Sequence, residues 1–311
     1  MSIIYSSDFD KINKEELNKL YGEDKTEVFE KSLYKVFAIK DGALAGAARI
    51  ISEGLETALL VDLYAKDDSD GEIRNGLIKE LEKNLIGRRV MVYSSRENLE
   101  LLEKAGYGRC KNAWTYFREG FEEKDFLPQG FKYENEFIKY SSATVNEPKN
   151  TVISYKSGHG DADFGAINEI LTRAFFGNPH NPDKTKAVFE RSQYSVTAFD
   201  GDRLVGVARA VSDGDEYATI LNVAVDPEYQ GLSIGKNIVL KLSEEIAAGT
   251  VVLNTHPGAV GFYNKLSEYR RNKYVFEKAI KEGVQSEQTE APSEFRNAMF
   301  TPAGFRFPDE Y

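Results

Sequence analysis

The sequence predicts an α/β protein made of two copies of one unit, residues 1–140 and 151–311, and three observations carry that reading. The first is an internal repeat. When the first half is slid along the second by 160 positions, Ser32-Leu33-Tyr34-Lys35-Val36-Phe37-Ala38 falls on Ser192-Gln193-Tyr194-Ser195-Val196-Thr197-Ala198. At the same offset, Leu44-Ala45-Gly46-Ala47-Ala48-Arg49-Ile50-Ile51-Ser52-Glu53-Gly54 falls on Leu204-Val205-Gly206-Val207-Ala208-Arg209-Ala210-Val211-Ser212-Asp213-Gly214. A period this long is a whole domain copied, because solenoid units run to roughly 20 to 50 residues. The second observation is that each repeated stretch reads as a β-hairpin, with a turn at Lys40-Asp41-Gly42 or Asp200-Gly201-Asp202 and a second strand that closes on Ser-acid-Gly. The third is an almost wholly apolar strand at 221–225, stopped by Asp226-Pro227. It passes through a Gly-containing turn into a helix from 236 to about 246, where Ile238, Leu242 and Ile246 sit at helical spacing.

The remaining elements follow in order. Ahead of the hairpins, Tyr21-Gly22-Glu23-Asp24-Lys25-Thr26 corresponds to Phe176-Gly177-Asn178-Pro179-His180-Asn181-Pro182-Asp183-Lys184-Thr185, so the second copy carries about four extra residues between its first two helices. A further strand is expected at 250–254. At the ends of the copies, Phe126-Leu127-Pro128-Gln129-Gly130-Phe131 matches Phe300-Thr301-Pro302-Ala303-Gly304-Phe305, and the match continues to Phe137 and Tyr311. The tail therefore belongs to the repeated unit. It either clasps the domain or, through Phe305, Phe307 or Tyr311, walls a pocket. Residues 141–150 are polar and aperiodic, the pattern of a linker.

Composition narrows the function. With 311 residues, each unit is long enough to bury its own core. Hydrophobic residues make up 41% of the chain, yet no apolar run approaches the ~20 residues that span a bilayer. No signal peptide is expected from the first eight residues, and the single cysteine, Cys110, reads as a buried thiol in a reducing cytoplasm. A net charge of -10 argues against nucleic acid as a partner and is compatible with a cationic amine. His159, His180 and His256 are scattered and have no cysteine at ligand spacing, so no metal is expected.

Chemistry concentrates in the strand-to-helix turn. Gly231 and Gly235 let the backbone bend sharply and approach a ligand. Free N–H groups and the positive dipole end at a helix start hold a phosphate or pyrophosphate. Gln230, Ser233 and Gly235 fall on the first, fourth and sixth positions of Q/R-x-x-G-x-G/A, which resembles the acetyl-coenzyme A pyrophosphate loop of the Gcn5-related N-acetyltransferases (the GNAT superfamily). Ser233 departs from the usual Gly, so its side chain must point away from the cofactor or contribute a hydroxyl. Further on, His256-Pro257-Gly258-Ala259-Val260-Gly261-Phe262-Tyr263-Asn264-Lys265-Leu266 is similar to the family's N-x-x-A-x-x-F-Y-x-K-x-G-F segment, with His256 in the Asn position and Ser267-Glu268-Tyr269 in place of the Gly-Phe exit.

The resemblance implies two tandem acyl-CoA N-acyltransferase (GNAT) folds, each a mixed, mostly antiparallel sheet flanked by helices. Two central strands would splay to admit pantetheine beside Val223 and Val225. Gln230, Gly231, Ser233, Ile234, Gly235 and Lys236 would hold the pyrophosphate, with Asn254 also on the cofactor. It implies Tyr263 as the acid that protonates the departing thiolate and the N–H of Val223 as the oxyanion donor. Phe175, Phe176 and His180 would contact the acceptor. An alkyl amine must lose a proton before it attacks, so a base is required. Glu216 and Asp213 are its candidates, with Asn222 placed to orient a water.

The same offset of 160 sets Asp70-Gly71-Glu72-Ile73-Arg74-Asn75 against the loop, and in the first copy's matching run, Glu100-Leu101-Leu102-Glu103-Lys104-Ala105-Gly106-Tyr107, Leu102 replaces Tyr263. Two acidic side chains would repel a pyrophosphate, so the first copy reads as degenerate. The function expected is an acetyl-CoA-dependent N-acetyltransferase acting on a primary amine of a small molecule, with its active site in the second copy, as a monomer or homodimer, with no nucleic acid and no membrane. The alternative is a non-catalytic acyl-CoA-binding sensor or scaffold.

Overall fold

Repetition in the sequence is repetition in space. The computed structural model describes residues 3–85, 88–117, 125–128, 131–133, 152–160, 162–174, 181–279 and 297–310. The first copy runs β1 (Ile3–Ser6), α1 (Lys14–Tyr21), α2 (Thr26–Lys31), β2 (Tyr34–Lys40), β3 (Ala43–Ser52), β4 (Thr57–Ala65), α3 (Glu72–Lys83), β5 (Arg89–Tyr93), α4 (Leu99–Lys104), β6 (Gly108–Arg109) and β7 (Ala113–Phe117). The second repeats that order as β8 (Ile153–Ser157), α5 (Phe164–Ala174), α6 (Pro182–Glu190), β9 (Tyr194–Asp200), β10 (Arg203–Ser212), β11 (Tyr217–Val225), α7 (Ile234–Glu245), β12 (Thr250–Asn254), α8 (Val260–Tyr263), β13 (Arg270–Arg271) and β14 (Val275–Ala279).

Two seven-stranded sheets result, in the orders β1-β2-β3-β4-β5-β14-β6 and β13-β7-β12-β11-β10-β9-β8. Neighbours are antiparallel except β4 with β5 and β11 with β12, which gives the mixed, mostly antiparallel sheets expected. The sheets trade a strand. β7 lies between β12 and β13, with Thr115 opposite Val252, and β14 lies between β5 and β6, with Phe276 opposite Val92. A division into 1–140 and 151–311 therefore cuts through both sheets, although it separates the helices. The repeat could not reveal this, because β7 and β14 occupy equivalent places in either arrangement.

Packing follows the apolar faces. Ile73, Leu77, Ile78 and Leu81 of α3, and Ile234, Ile238, Val239 and Leu242 of α7, are buried, each set at helical spacing over its own sheet. A further cluster draws on both halves: Ile51, Leu59, Val61 and Met91 meet Val211, Val252 and Val275, with Cys110 among them. Burial of such side chains is worth about 1.5–3 kcal/mol each, so this seam binds the copies together. Cys110 is the buried thiol expected, and burial pushes its pKa up.

The aromatic tails form a clasp. Leu127, Tyr133 and Phe307 are buried together with Phe131 and Phe305 against them, and Phe131–Tyr133 and Phe305–Phe307 are edge-to-face pairs at 5.0 Å. Arg109 donates from both terminal nitrogens to Glu310, at 3.0 and 2.6 Å, and both side chains are 1% exposed. Phe305 and Phe307 thus build a small shared core rather than a pocket wall. Tyr311 and the expected linker lie outside the described residues. No helix among the described residues is long and apolar enough to cross a membrane.

Candidate active site

The site begins where two strands part. β11 and β12 pair only from Tyr217 opposite Thr250 to Thr219 opposite Val252. On its other edge β11 follows β10 with an irregularity between Val207 and Arg209, and there Asn222 takes a φ of 52°. Asn tolerates this left-handed conformation better than most side chains. Such a bulge bends a strand and re-aims its edge, so β11 leaves β12 as the resemblance implied. A cavity of about 1070 Å³ occupies the opening.

At one end the cavity meets the turn into α7. Asp226 fixes that turn by accepting from the Glu228 N–H at 3.0 Å and from Arg173 and Arg203 at 2.9 Å each. Gln230 donates its side-chain amide to the Val225 carbonyl at 3.2 Å, tying the loop to the strand. Gly231 has a φ of 84°, and Ser233, the residue before the helix, has a φ of 61°. This explains why Gly is usual at the position: the left-handed region costs a side-chain-bearing residue roughly 1–2 kcal/mol. The first helical hydrogen bond runs from the Asn237 N–H to the Ser233 carbonyl. The N–H groups of Ile234, Gly235 and Lys236 precede it, and all three residues line the cavity.

In the first copy the same place is filled from within. Gly71, φ 74°, precedes α3 as Ser233 precedes α7, but the buried faces of the two helices, Ile73-Leu77-Ile78-Leu81 and Ile234-Ile238-Val239-Leu242, repeat at an offset of 161, as do β5 and β12, while that of β4 and β11 is 160. This corrects the gapless register by one residue: Ser69, not Asp70, stands opposite Gln230, and Arg74, not Asn75, opposite Gly235. Ile73 stands opposite Ile234, each packed against the equivalent strand glycine, Gly46 or Gly206. The Asp68 carboxylate accepts the N–H groups of Ile73 at 2.8 Å and Arg74 at 3.0 Å, together with the Arg74 side chain. Burial alone would raise its pKa, but these donors hold it below the usual carboxylate range. A carboxylate of the chain itself sits where an anion would bind.

Tyr263 lies further along the cavity wall. It stacks on Trp114 at 6.1 Å and meets Phe262 edge-on at 4.8 Å. Trp114 is on the traded strand β7, so the first half positions this tyrosine. Burial raises the phenol's pKa well above its ordinary value, which keeps it protonated. His256 also lines the cavity and accepts the Gly258 N–H on Nδ1 at 3.1 Å, and burial lowers its pKa. Asn254 donates to Glu277 at 3.0 Å, while its Oδ1 is buried without a protein partner.

Of the residues expected at the site, Asn222, Val223, Val225, Gln230, Gly231, Ser233, Ile234, Gly235, Lys236, Asn254 and Tyr263 line this one cavity. Glu216 and Asp213 are not among its lining residues. Glu216 accepts from Lys25 and from Arg49 of the first copy, at 2.6 Å each, and Asp213 accepts from Arg49 at 2.8 Å. Burial pushes the Glu216 carboxyl above its ordinary value, and those two cations oppose the shift. Its position in sequence suggested a base, but the partners that engage it come from the other half. Asn222 accepts from Arg209 Nε at 2.6 Å. Phe175, Phe176 and His180 lie outside the described residues.

The lining also contains residues the sequence did not single out: Glu56, Arg88 and Arg89 of the first copy, with Lys184 and Arg209 of the second. Glu56 stands 3.3 Å from Lys184 and 3.4 Å from Arg209. Its signal was present, since at the offset of 160 it is the counterpart of Glu216.

Residues 164–267 match the acetyltransferase (GNAT) family. Among curated proteins, the chain is 30% identical to a probable acetyltransferase TAP2 of Glycine max over 162 residues, which cover 47% of this chain and 60% of that protein. It is 40% identical to the uncharacterized N-acetyltransferase ycf52 of Pyropia yezoensis over 67 residues, covering 21% of this chain and 38% of that one. The matched stretches thus span less than two thirds of either relative. Among solved structures, a GCN5-related N-acetyltransferase from Sphaerobacter thermophilus aligns over 92% of this chain and 98% of its own, at 15% identity and a TM-score of 0.49.

Proposed function

Because the chain is a member of the GNAT family through residues 164–267, we propose that it is an acetyl-CoA-dependent N-acetyltransferase that acetylates a primary amine of a small molecule, with one active site, in the second copy. The observation that carries this is the cavity that runs from the start of α7, through the opening between β11 and β12, to residues of the first copy. Its wall fits the donor: an unpartnered amide oxygen on Asn254 suits an amide N–H, and the free first turn of α7 suits a pyrophosphate.

Acetyl-CoA supplies an acetyl group activated as a thioester. The N–H groups of Ile234, Gly235 and Lys236, with the Lys236 side chain, hold the phosphates. The strand edge at Val223 and Val225 takes pantetheine as an added strand, and the Val223 N–H stabilises negative charge on the acyl oxygen. Glu56, the one carboxylate among the described lining residues, takes the amine's proton directly or through water. It serves in place of Glu216. Tyr263 stays protonated and donates to the departing sulfur.

A thiol-release assay over a panel of amines tests the proposal. Tyr263→Phe is expected to lower turnover by about 10²-fold with acetyl-CoA affinity unchanged. Acetyl-CoA binding with no turnover of any amine would instead support the sensor.

A further inference from the structure

We propose that the acceptor is an amine that also carries an anionic group, a carboxylate or a phosphate ester, held at the junction of the two copies by Arg209, Arg89 and Lys184 while Glu56 receives the amine. The inference rests on the transferase reading of this cavity. Its first support is a reversal of charge. The chain carries -10 overall, but the described lining residues include six Lys or Arg (Arg88, Arg89, Lys184, Arg209, Lys236, Lys265) against one carboxylate, Glu56. Lys236 on α7 and Lys265 just after α8 answer to the phosphates of the donor. The other four cations come from the first copy and from α6 and β10, where no donor phosphate is needed.

The second support is a comparison that the duplication makes possible. Arg49 and Arg209 are repeat partners and are equally buried, with side chains 0% and 1% exposed. Arg49 meets three carboxylates: Asp62 of its own bulge, Asp213 at 2.8 Å and Glu216 at 2.6 Å. At the corresponding places Arg209 meets the neutral Asn222 at 2.6 Å and Glu56 at 3.4 Å, with Ser192 Oγ at 3.2 Å. Glu53, the counterpart of Asp213, accepts the N–H groups of Glu56 and Thr57 on one oxygen, as Asp213 does for its own turn, and acts on Arg209 through its charge. Its other oxygen is buried without a hydrogen-bond partner among the described residues and does not bond the guanidinium as Asp213 bonds Arg49. Burial lowers the pKa of Arg209, whereas the carboxylates around Arg49 raise that of the first-copy residue despite burial. A buried guanidinium with too little counter-charge is costly unless something compensates it. In the first copy the chain does so, and in the second the side facing the cavity is left for an anion, which a guanidinium binds through charge-assisted hydrogen bonds. Arg89, 62% exposed and 3.4 Å from Glu277, and Lys184, 51% exposed and 3.3 Å from Glu56, line the same cavity as Arg209.

The test compares four acceptors of similar length, γ-aminobutyrate, O-phosphoethanolamine, n-butylamine and putrescine, by steady-state acetyl transfer, with calorimetric binding of the first two to the CoA-loaded protein. The two anion-bearing amines are expected to show at least tenfold higher kcat/KM than the other two. Arg89→Gln should erode that preference through KM with acetyl-CoA affinity unchanged. Asn222→Asp, which installs the carboxylate that the first copy has in Asp62, should erode it too. Equal or better transfer to n-butylamine or putrescine would overturn the inference and leave the transferase reading standing. Binding of γ-aminobutyrate or O-phosphoethanolamine that weakens in Arg89→Gln, without turnover of any amine, would uphold the anionic-amine site but sink the transferase reading, and with it the acceptor role. Neither binding nor turnover of the anion-bearing pair would overturn the inference.

Discussion

Ser233 shows what one residue reveals in sequence and what it hides. Its departure from the family pattern is visible in the sequence, and the structure supplies the physical consequence: a left-handed backbone at the start of α7, held without the glycine that Gly71 provides at the start of α3. Replacing Ser233 with Gly removes that strain but adds freedom to the unfolded chain, and the strain is the larger of the two. Ser233→Gly is therefore expected to raise stability by up to about 1 kcal/mol, read as a higher urea midpoint at unchanged m-value. A lower midpoint would show that the hydroxyl makes a contact worth more than the strain. Tyr263, Gln230 and Gly235 were legible because each sits in a local pattern. Arg209 and Trp114 were not, and Glu56 only through its repeat partner Glu216, because their places depend on which residues the other half sets beside them.

At the scale of elements, hydrophobic periodicity and turn chemistry located most strands and helices, including the hairpins and the strand, loop and helix of the site. The loop lengths were less legible. Side chains repeat at an offset of 160 up to β4 and β11, and a one-residue difference in the following loop moves the buried faces of α3 and α7 to an offset of 161. The clasp at the chain's end offers a test of element-level energetics. Glu310 is buried, which alone would raise its pKa, but Arg109 and the Phe307 N–H hold it below the usual carboxylate range. A folded-state pKa below the unfolded value of about 4.3 means that the clasp contributes its full stability above that pH and loses it as pH falls through the folded value. Unfolding free energy should therefore drop below about pH 4, and Glu310→Gln should flatten that part of the drop. At neutral pH the same substitution leaves Arg109 buried beside a neutral group and is expected to cost about 3–5 kcal/mol. A pH profile identical in the two proteins would remove Glu310 from the acid transition.

At the scale of the whole molecule, the duplication could be read from the sequence, but the exchange of β7 and β14 could not, because strand pairing is set by tertiary contacts that both copies satisfy equally. The exchange makes each half incomplete. Residues 151–311 alone lack the strand between β12 and β13, and with it the Trp114 that backs Tyr263. That fragment is expected to be unfolded or aggregated by circular dichroism and size-exclusion chromatography, and to recover its fold when mixed with residues 1–140. A fragment that melts cooperatively at the full-length temperature would contradict this account of the sheets. The proposed binding follows the same asymmetry within symmetry: of the two helix starts, Asp68 occupies one and the cavity opens onto the other. Calorimetric titration of the full-length chain with acetyl-CoA tests this most directly. One molecule bound per chain, with binding abolished by Gln230→Ala combined with Gly235→Asp and retained in Asn75→Asp, is the predicted result, and two molecules bound per chain would contradict it.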